Sequence, residues 1–232
     1  MKTIGLIGGL SWESSIEYYR IINETVRERM GGLHSADCLM YSFDFAEIEA
    51  LQMASDWETA THRMIAVARQ LERGGADCIV ICSNTMHRMA DDVQNAVDID
   101  LIHIADATAN AIKSQGIQQI GLLGTRFTME QGFYKGRLVK KHHLDVIIPD
   151  DAGRTIIHDI IYDELVVGEV YDKSRSAYQT VMQNMIDKGA QGIILGCTEI
   201  ELLISRPEHS PVPTFPTTYL HALAAVDWAL DS

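Results

Sequence analysis

Gly75-Ala-Asp-Cys-Ile-Val-Ile-Cys-Ser-Asn-Thr85 and Gly189-Ala-Gln-Gly-Ile-Ile-Leu-Gly-Cys-Thr-Glu199 are two versions of one pattern. Each opens on a glycine after an amphipathic helical stretch, passes through a short apolar run and stops at small polar side chains. An apolar run bounded by turn residues reads as a strand buried on both faces, as in parallel sheets. A second pair, Ile4-Gly-Leu-Ile-Gly-Gly9 and Ile120-Gly-Leu-Leu-Gly-Thr125, recurs after 116 residues where the first recurs after 114. A weaker third pair, Leu101-Ile-His-Ile-Ala-Asp106 and Pro213-Thr-Phe-Pro-Thr-Thr218, precedes an alanine-rich helix in each copy. Three features in the same order make the 232 residues a doubled unit.

Between these landmarks strands alternate with helices. Thr3–Ile7, Cys38–Phe43, Asp77–Cys82 and Leu101–Ile104 read as strands. Ser14–Met30, Thr59–Arg73, Met86–Ala96 and Asp106–Ser114 show helical spacing, with Gly74-Gly75 as a C-terminal stop and Asp106 or Thr108 as an N-cap. The pattern restarts at Gln119. This alternation predicts an α/β fold of two pseudo-symmetric domains with parallel sheets, whose ligands sit beyond the carboxyl ends of the strands.

Composition narrows the function. Apolar residues make up 47% and charged residues 22%, as in a folded globular chain. Nineteen Lys and Arg against 32 Asp and Glu give a net charge of −13, which opposes a nucleic-acid partner. The apolar runs are too short to span a bilayer, and Trp12-Glu13 follows the first run without a cleavage site. Four cysteines are too few for a disulfide scaffold, so reduced thiols and a cytoplasmic location are expected.

The alignment of the first pair sets Ser83 opposite Cys197, Asn84 opposite Thr198 and Thr85 opposite Glu199. If the halves face each other, a small ligand between them meets a hydroxyl on one side and a thiol on the other. Thiolates serve as nucleophiles and as general bases. A serine hydroxyl is scarcely ionised near neutral pH, so it is a poor independent base. Cys82, opposite Gly196, is expected to pack inward beside Ile79 and Ile81. The backbone N–H groups of Ser83–Thr85 and Cys197–Glu199 precede helices and suit a carboxylate, with Thr85, Thr125 and Thr198 as hydroxyl donors.

Ser83-Asn84-Thr85-Met86-His87 and Gly196-Cys197-Thr198-Glu199, with Gly8-Gly9-Leu10-Ser11 and Leu123-Gly124-Thr125, resemble the signatures of the cofactor-independent aspartate/glutamate racemases. The likeness runs along the whole chain and is strongest to a subgroup with Gly-Gly-Leu/Met-Ser-Trp-Glu-Ser near the start. It implies a two-base reaction at Cα, with Cys197 removing the proton of the L-enantiomer and Ser83 in place of the usual first cysteine. It further implies no cofactor, a homodimer, an active site in the interdomain cleft, and a C-terminal segment that completes the first domain. The expected domains are 1–100 with about 214–232, and 101–213. By the same likeness Gln52 meets the ligand through its side chain and Leu10 through its main chain. A lysine found in some aspartate racemases is replaced by Val166, while Glu164 on the same segment suits the substrate ammonium. The substrate expected is an acidic amino acid, with a bias to the L-form. The alternatives are a single-cysteine decarboxylase or isomerase of the same superfamily and a non-catalytic amino-acid-binding protein.

Other features carry less. His87 is placed to orient the Ser83 loop, and Lys140-Lys141-His142-His143 reads as an exposed polar turn. Cys78 and Cys82 lack the histidines of a zinc site, the glycines at Gly5–Gly9 lack dinucleotide spacing, and no lysine is marked for pyridoxal phosphate.

Overall fold

A computed structural model describes residues 1–231. In chain order it begins with β1 (Ile4–Gly8), α1 (Trp12–Met30), β2 (Cys38–Ser42), α2 (Phe45–Met53), α3 (Trp57–Arg73) and β3 (Cys78–Ile81). A 3-10 turn over Thr85–Met89 leads to α4 (Ala90–Gln94), β4 (Asp100–Ile102) and α5 (Ile104–Ser114). The plan then repeats with β5 (Gln119–Gly124), α6 (Arg126–Glu130), α7 (Gly132–His142), β6 (Asp145–Ile147) and α8 (Asp151–Asp163). After these come α9 (Asp172–Asp187), β7 (Ile193–Gly196), α10 (Ile200–Leu203), β8 (Thr214–Pro216) and α11 (Thr217–Leu230).

Two four-stranded parallel sheets result, ordered β2-β1-β3-β4 and β6-β5-β7-β8. The three repeated stretches of sequence occupy the same places in each sheet: β1 and β5, β3 and β7, β4 and β8. One compact unit comprises Met1–Ile104 and the residues from His221 onward; the other comprises Ala105–Leu220. The limits expected at 100/101 and about 214 shift to 104/105 and 220/221. The reason is strand pairing, because β4 belongs with β3 in the first sheet and β8 with β7 in the second.

Strand period explains the core of the first unit. Ile7, Ile79 and Ile81 pack on one face with α2 and α3, whose Ala60, Met64, Val67, Ala68 and Leu71 recur at helical spacing. Ile4, Leu6, Cys78, Val80 and Cys82 pack on the other, against Tyr18, Ile22 and Val26 of α1 and Ala222, Ala225 and Val226 of α11. Cys82 is therefore buried, but beside Cys78 and Val80 rather than Ile79 and Ile81, because alternate residues share a face. In the second unit Leu123, Ile193 and Leu195 meet α8, α9 and α10 through Ile157, Ile161, Tyr178, Met182, Met185, Ile200 and Leu203.

Several helix limits differ from the periodic reading. Helix α1 starts at Trp12 because Ser11 accepts the Ser14 N–H at 3.2 Å, and α3 starts at Trp57 because Asp56 accepts the Thr59 N–H at 3.1 Å. Met86–Ala96 splits into the 3-10 turn and α4. Asp106 and Thr108 are not caps but lie within α5, where Asp106 is held by Arg137, Lys141 and His142 of α7 at 2.7–2.8 Å. His142 is accordingly buried at the end of α7, not on an exposed turn. Among the described residues no helix is long and apolar enough to cross a membrane.

Candidate active site

Parallel pairing of β1 with β3, with Ile7 opposite Ile81, sends the Gly9-Leu10 turn and the Cys82–Thr85 loop out of the same end of the first sheet. The turn demands glycine at position 9: its φ is +69°, and a Cβ there would lie 2.2 Å from the backbone N and O of Phe43. Ser15 accepts the Gly9 N–H at 2.8 Å and fixes the turn to α1. The Leu10 side chain packs into the core with Ile7 and Phe43. Gln52 is buried on α2, and its amide nitrogen lies 3.3 Å from the sulfur of Met86. Ser83 keeps partial solvent access, whereas Asn84 and Thr85 are buried. The Ser83 Oγ accepts the Met86 N–H at 3.4 Å, which leaves its own proton to be donated. Leu10, Gln52 and the Ser83–Thr85 loop thus gather at one end of one sheet.

The second unit brings the corresponding loops together in the same way. Gly124 pairs with Gly196, so Thr125 and the Cys197–Glu199 loop leave the same end of the second sheet. Position 196 must be glycine, since a Cβ would lie 2.6 Å from the Leu123 carbonyl oxygen. That crowding explains why Cys82 has no cysteine counterpart in the second copy. Thr125 is buried and caps α6, accepting the Thr128 N–H at 3.4 Å. The Thr198 hydroxyl lies 3.1 Å from that of Thr218, and Thr217 donates to the Leu195 carbonyl at 2.9 Å, tying the loop to the start of α11.

The Cys197 thiol donates to Glu199 Oε2 at 2.8 Å. Burial and the adjacent Glu199 carboxylate push its pKa well above the ordinary thiol value, so the sulfur rests protonated at neutral pH. Glu201 adds to this effect. The buried Tyr178 hydroxyl, which donates to the Ile157 carbonyl at 3.1 Å, is raised first by burial and then by Cys197, Glu164 and Glu199 together. Those three residues therefore all act electrostatically on one tyrosine. Glu164 itself accepts from Ser174 and lies 3.6 Å from Lys173 Nζ.

In the second unit Cys197 and Glu199 are in contact and Glu164 shares their influence on Tyr178, while in the first unit Leu10, Gln52, Ser83, Asn84 and Thr85 gather at one end of the sheet. Tyr178, Thr218 and Ser174 were not legible as site residues. Their only sequence signal is helical spacing on α9 and α11, which marks packing and not chemistry. Among the described residues no group of three or more His, Cys, Asp or Glu could hold a metal ion.

Residues 7–225 match the Asp/Glu/Hydantoin racemase family. The chain belongs to that family. A provisionally assigned Asp/Glu racemase from Yersinia pestis has a crystal structure that superposes over the full length of both chains, with a TM-score of 0.95 and 54% identity. An aspartate racemase homologue from Pyrococcus horikoshii does so with a TM-score of 0.87 and 33% identity, again over both full lengths. A glutamate racemase of Persephonella marina is 27% identical over 63% of this chain and 55% of its own. Racemase-type chemistry is thus the activity to which the family assigns this chain, and the doubled α/β plan is the one its structural neighbours share.

Proposed function

We propose that the protein is a cofactor-independent racemase acting at Cα of an acidic amino acid, aspartate or glutamate, with a bias to the L-form. The observation that carries this reading is the Cys197–Glu199 pair: a protonated thiol beside a carboxylate that can take its proton over 2.8 Å. In the L-direction the thiol proton passes to Glu199, the thiolate removes the Cα proton, and Ser83 Oγ–H supplies a proton to the opposite face. The hydroxyl then regains its proton from solvent. In the reverse direction Ser83 must act as the base, for which a hydroxyl is poorly suited. This difference is the source of the bias.

Substrate placement follows from charge. Glu201 acts on Cys197 and Glu164 on the nearby Tyr178, and both suit the α-ammonium, which they attract while repelling a carboxylate. The α-carboxylate then belongs with the N–H groups and hydroxyls of the Asn84-Thr85 and Thr198 loops and with Thr125. The side-chain carboxylate belongs on the first unit's share of the site, with Gln52 and the main chain of Leu10. The reading requires the two loops to address one substrate from opposite faces, in a cytoplasmic protein that assembles as a homodimer.

Cα exchange in deuterated water tests it, with L- and D-aspartate and L- and D-glutamate as substrates. Deuterium should enter from the L-form in the native protein and vanish in Cys197→Ala. Binding of amino acid without any Cα exchange would instead favour a non-catalytic binding protein.

A further inference from the structure

His87 stands four residues after Ser83 and is almost fully buried beneath the loop. Its Nε2 lies 3.2 Å from the backbone nitrogen of Ile104, which can only donate. Nε2 therefore carries the lone pair, and the ring proton is on Nδ1. That nitrogen lies 2.7 Å from the Ser83 carbonyl oxygen, which can only accept. The two contacts agree on one neutral tautomer, bridging the end of β3 to the start of α5.

A neighbouring imidazole is likewise fixed as one neutral tautomer. The His103 and His221 rings face His87 at centroid distances of 4.7 and 5.3 Å. His221 Nε2 donates to the Ile102 carbonyl at 2.7 Å, so its Nδ1 must accept from the Tyr18 hydroxyl at 2.7 Å. Two short donor chains result, one from Tyr18 through His221 to Ile102 and one from Ile104 through His87 to Ser83. A second proton on His87 would face the Ile104 N–H and break that bond.

We propose that His87, held as the neutral Nδ1–H tautomer, is a positioning residue that fixes the Ser83 backbone and thereby aims the Ser83 hydroxyl at the substrate. It rests on the reading of Ser83 as the group opposite Cys197. Its effect is confined to one half of the reaction: exchange on the Cys197 face depends on the second unit, whereas inversion depends on Ser83. A misplacement of about 1 Å at a reacting group costs up to about a hundredfold in rate.

Two measurements decide it. Nitrogen-15 NMR of the native protein at neutral pH should show His87 protonated at Nδ1 only; a proton on Nε2 would overturn the assignment without reference to catalysis. With L-aspartate in deuterated water, the ratio of inverted product to total Cα exchange isolates the Ser83 face. His87→Phe, which removes both bonds, should lower that ratio about tenfold or more. His87→Asn, whose amide N–H stands where Nδ1 does, should restore most of it. An unchanged ratio in His87→Phe, or equal loss of exchange and inversion with no rescue by asparagine, refutes the positioning role. Absence of any exchange in the native protein would instead refute the functional reading, leaving the NMR result to stand alone.

Discussion

Acidification should unlock the first unit from inside, through His221. This imidazole is fully buried, and burial is the main reason its pKa falls from 6.5 to about 4, despite the opposing bond to the Ile102 carbonyl. A folded-state pKa below the unfolded value means that the unfolded chain binds the proton more readily. The stabilisation is therefore complete above the unfolded value of 6.5 and is lost as pH falls towards about 4. With those two values the loss is about 2 kcal/mol near pH 5 and approaches about 3 kcal/mol below pH 4. For a chain of this size, 2 kcal/mol corresponds to a fall in Tm of roughly 4–8 °C. The assay is urea unfolding at about pH 7 and about pH 5, for the native protein and for a Tyr18→Phe, His221→Gln double variant. Glutamine can still donate to Ile102, and phenylalanine removes the hydroxyl that would otherwise lose its acceptor. The double variant should lose about 2 kcal/mol less than the native protein over this interval. Parallel losses in the two proteins would refute a buried neutral His221.

Two further outcomes follow from the charged and thiol groups. Asp106→Asn removes a carboxylate bound by Arg137, Lys141 and His142 and should cost about 2–3 kcal/mol at neutral pH, measured by urea unfolding. Burial raises the Asp106 pKa, but the three donors outweigh it and hold the carboxyl far below 3.8, so the gap between native and variant should narrow only as pH falls below that value. Alkylation by iodoacetamide, mapped by mass spectrometry, should label Cys38 and, more slowly because its thiol is held protonated, the partly accessible Cys197 in the folded protein, and the inaccessible Cys78 and Cys82 only after unfolding. Burial drives Cys78 up to about 12 and Cys82 higher still. Glu199→Gln should accelerate labelling of Cys197 at neutral pH by lowering its pKa; slower or unchanged labelling would show that Glu199 does not hold the thiol in its protonated form.

The repeated apolar runs disclosed the sheets because a central parallel strand must be apolar on both faces, a demand that leaves a local mark. The Ser83 and Cys197 loops were legible for a related reason, since each directly ends such a run. Asp106 misled the reading of α5 because an aspartate near a helix start fits a cap as well as a salt bridge, and Arg137, some thirty residues away, decides between them. His142 was misjudged similarly: a run of Lys and His looks solvated until the carboxylate it meets is known. Tyr18 and His221 lie 203 positions apart, and no local pattern could join them.

The duplication also shows where the two corresponding loops differ beyond serine in one and cysteine in the other. Register places Thr85 at the position of Glu199 and His87 at that of Glu201. The second-unit loop thus surrounds its thiol with carboxylates, whereas the first-unit loop is held by a neutral imidazole. Both acids, thiol and hydroxyl, hold their protons at rest, so neither is a ready base. What differs is the proton acceptor beside them. Cys197 has Glu199 at 2.8 Å, and the corresponding side chain next to Ser83 is a hydroxyl. Under the proposed reading, a bias towards L-substrates would reside in position 199 as much as in position 197. Under this reading Ser83→Cys alone raises D-side exchange without equalising the two directions, because a thiol at position 83 would face Thr85 and not a carboxylate. Equal exchange from both enantiomers in Ser83→Cys would place the whole asymmetry in the sulfur.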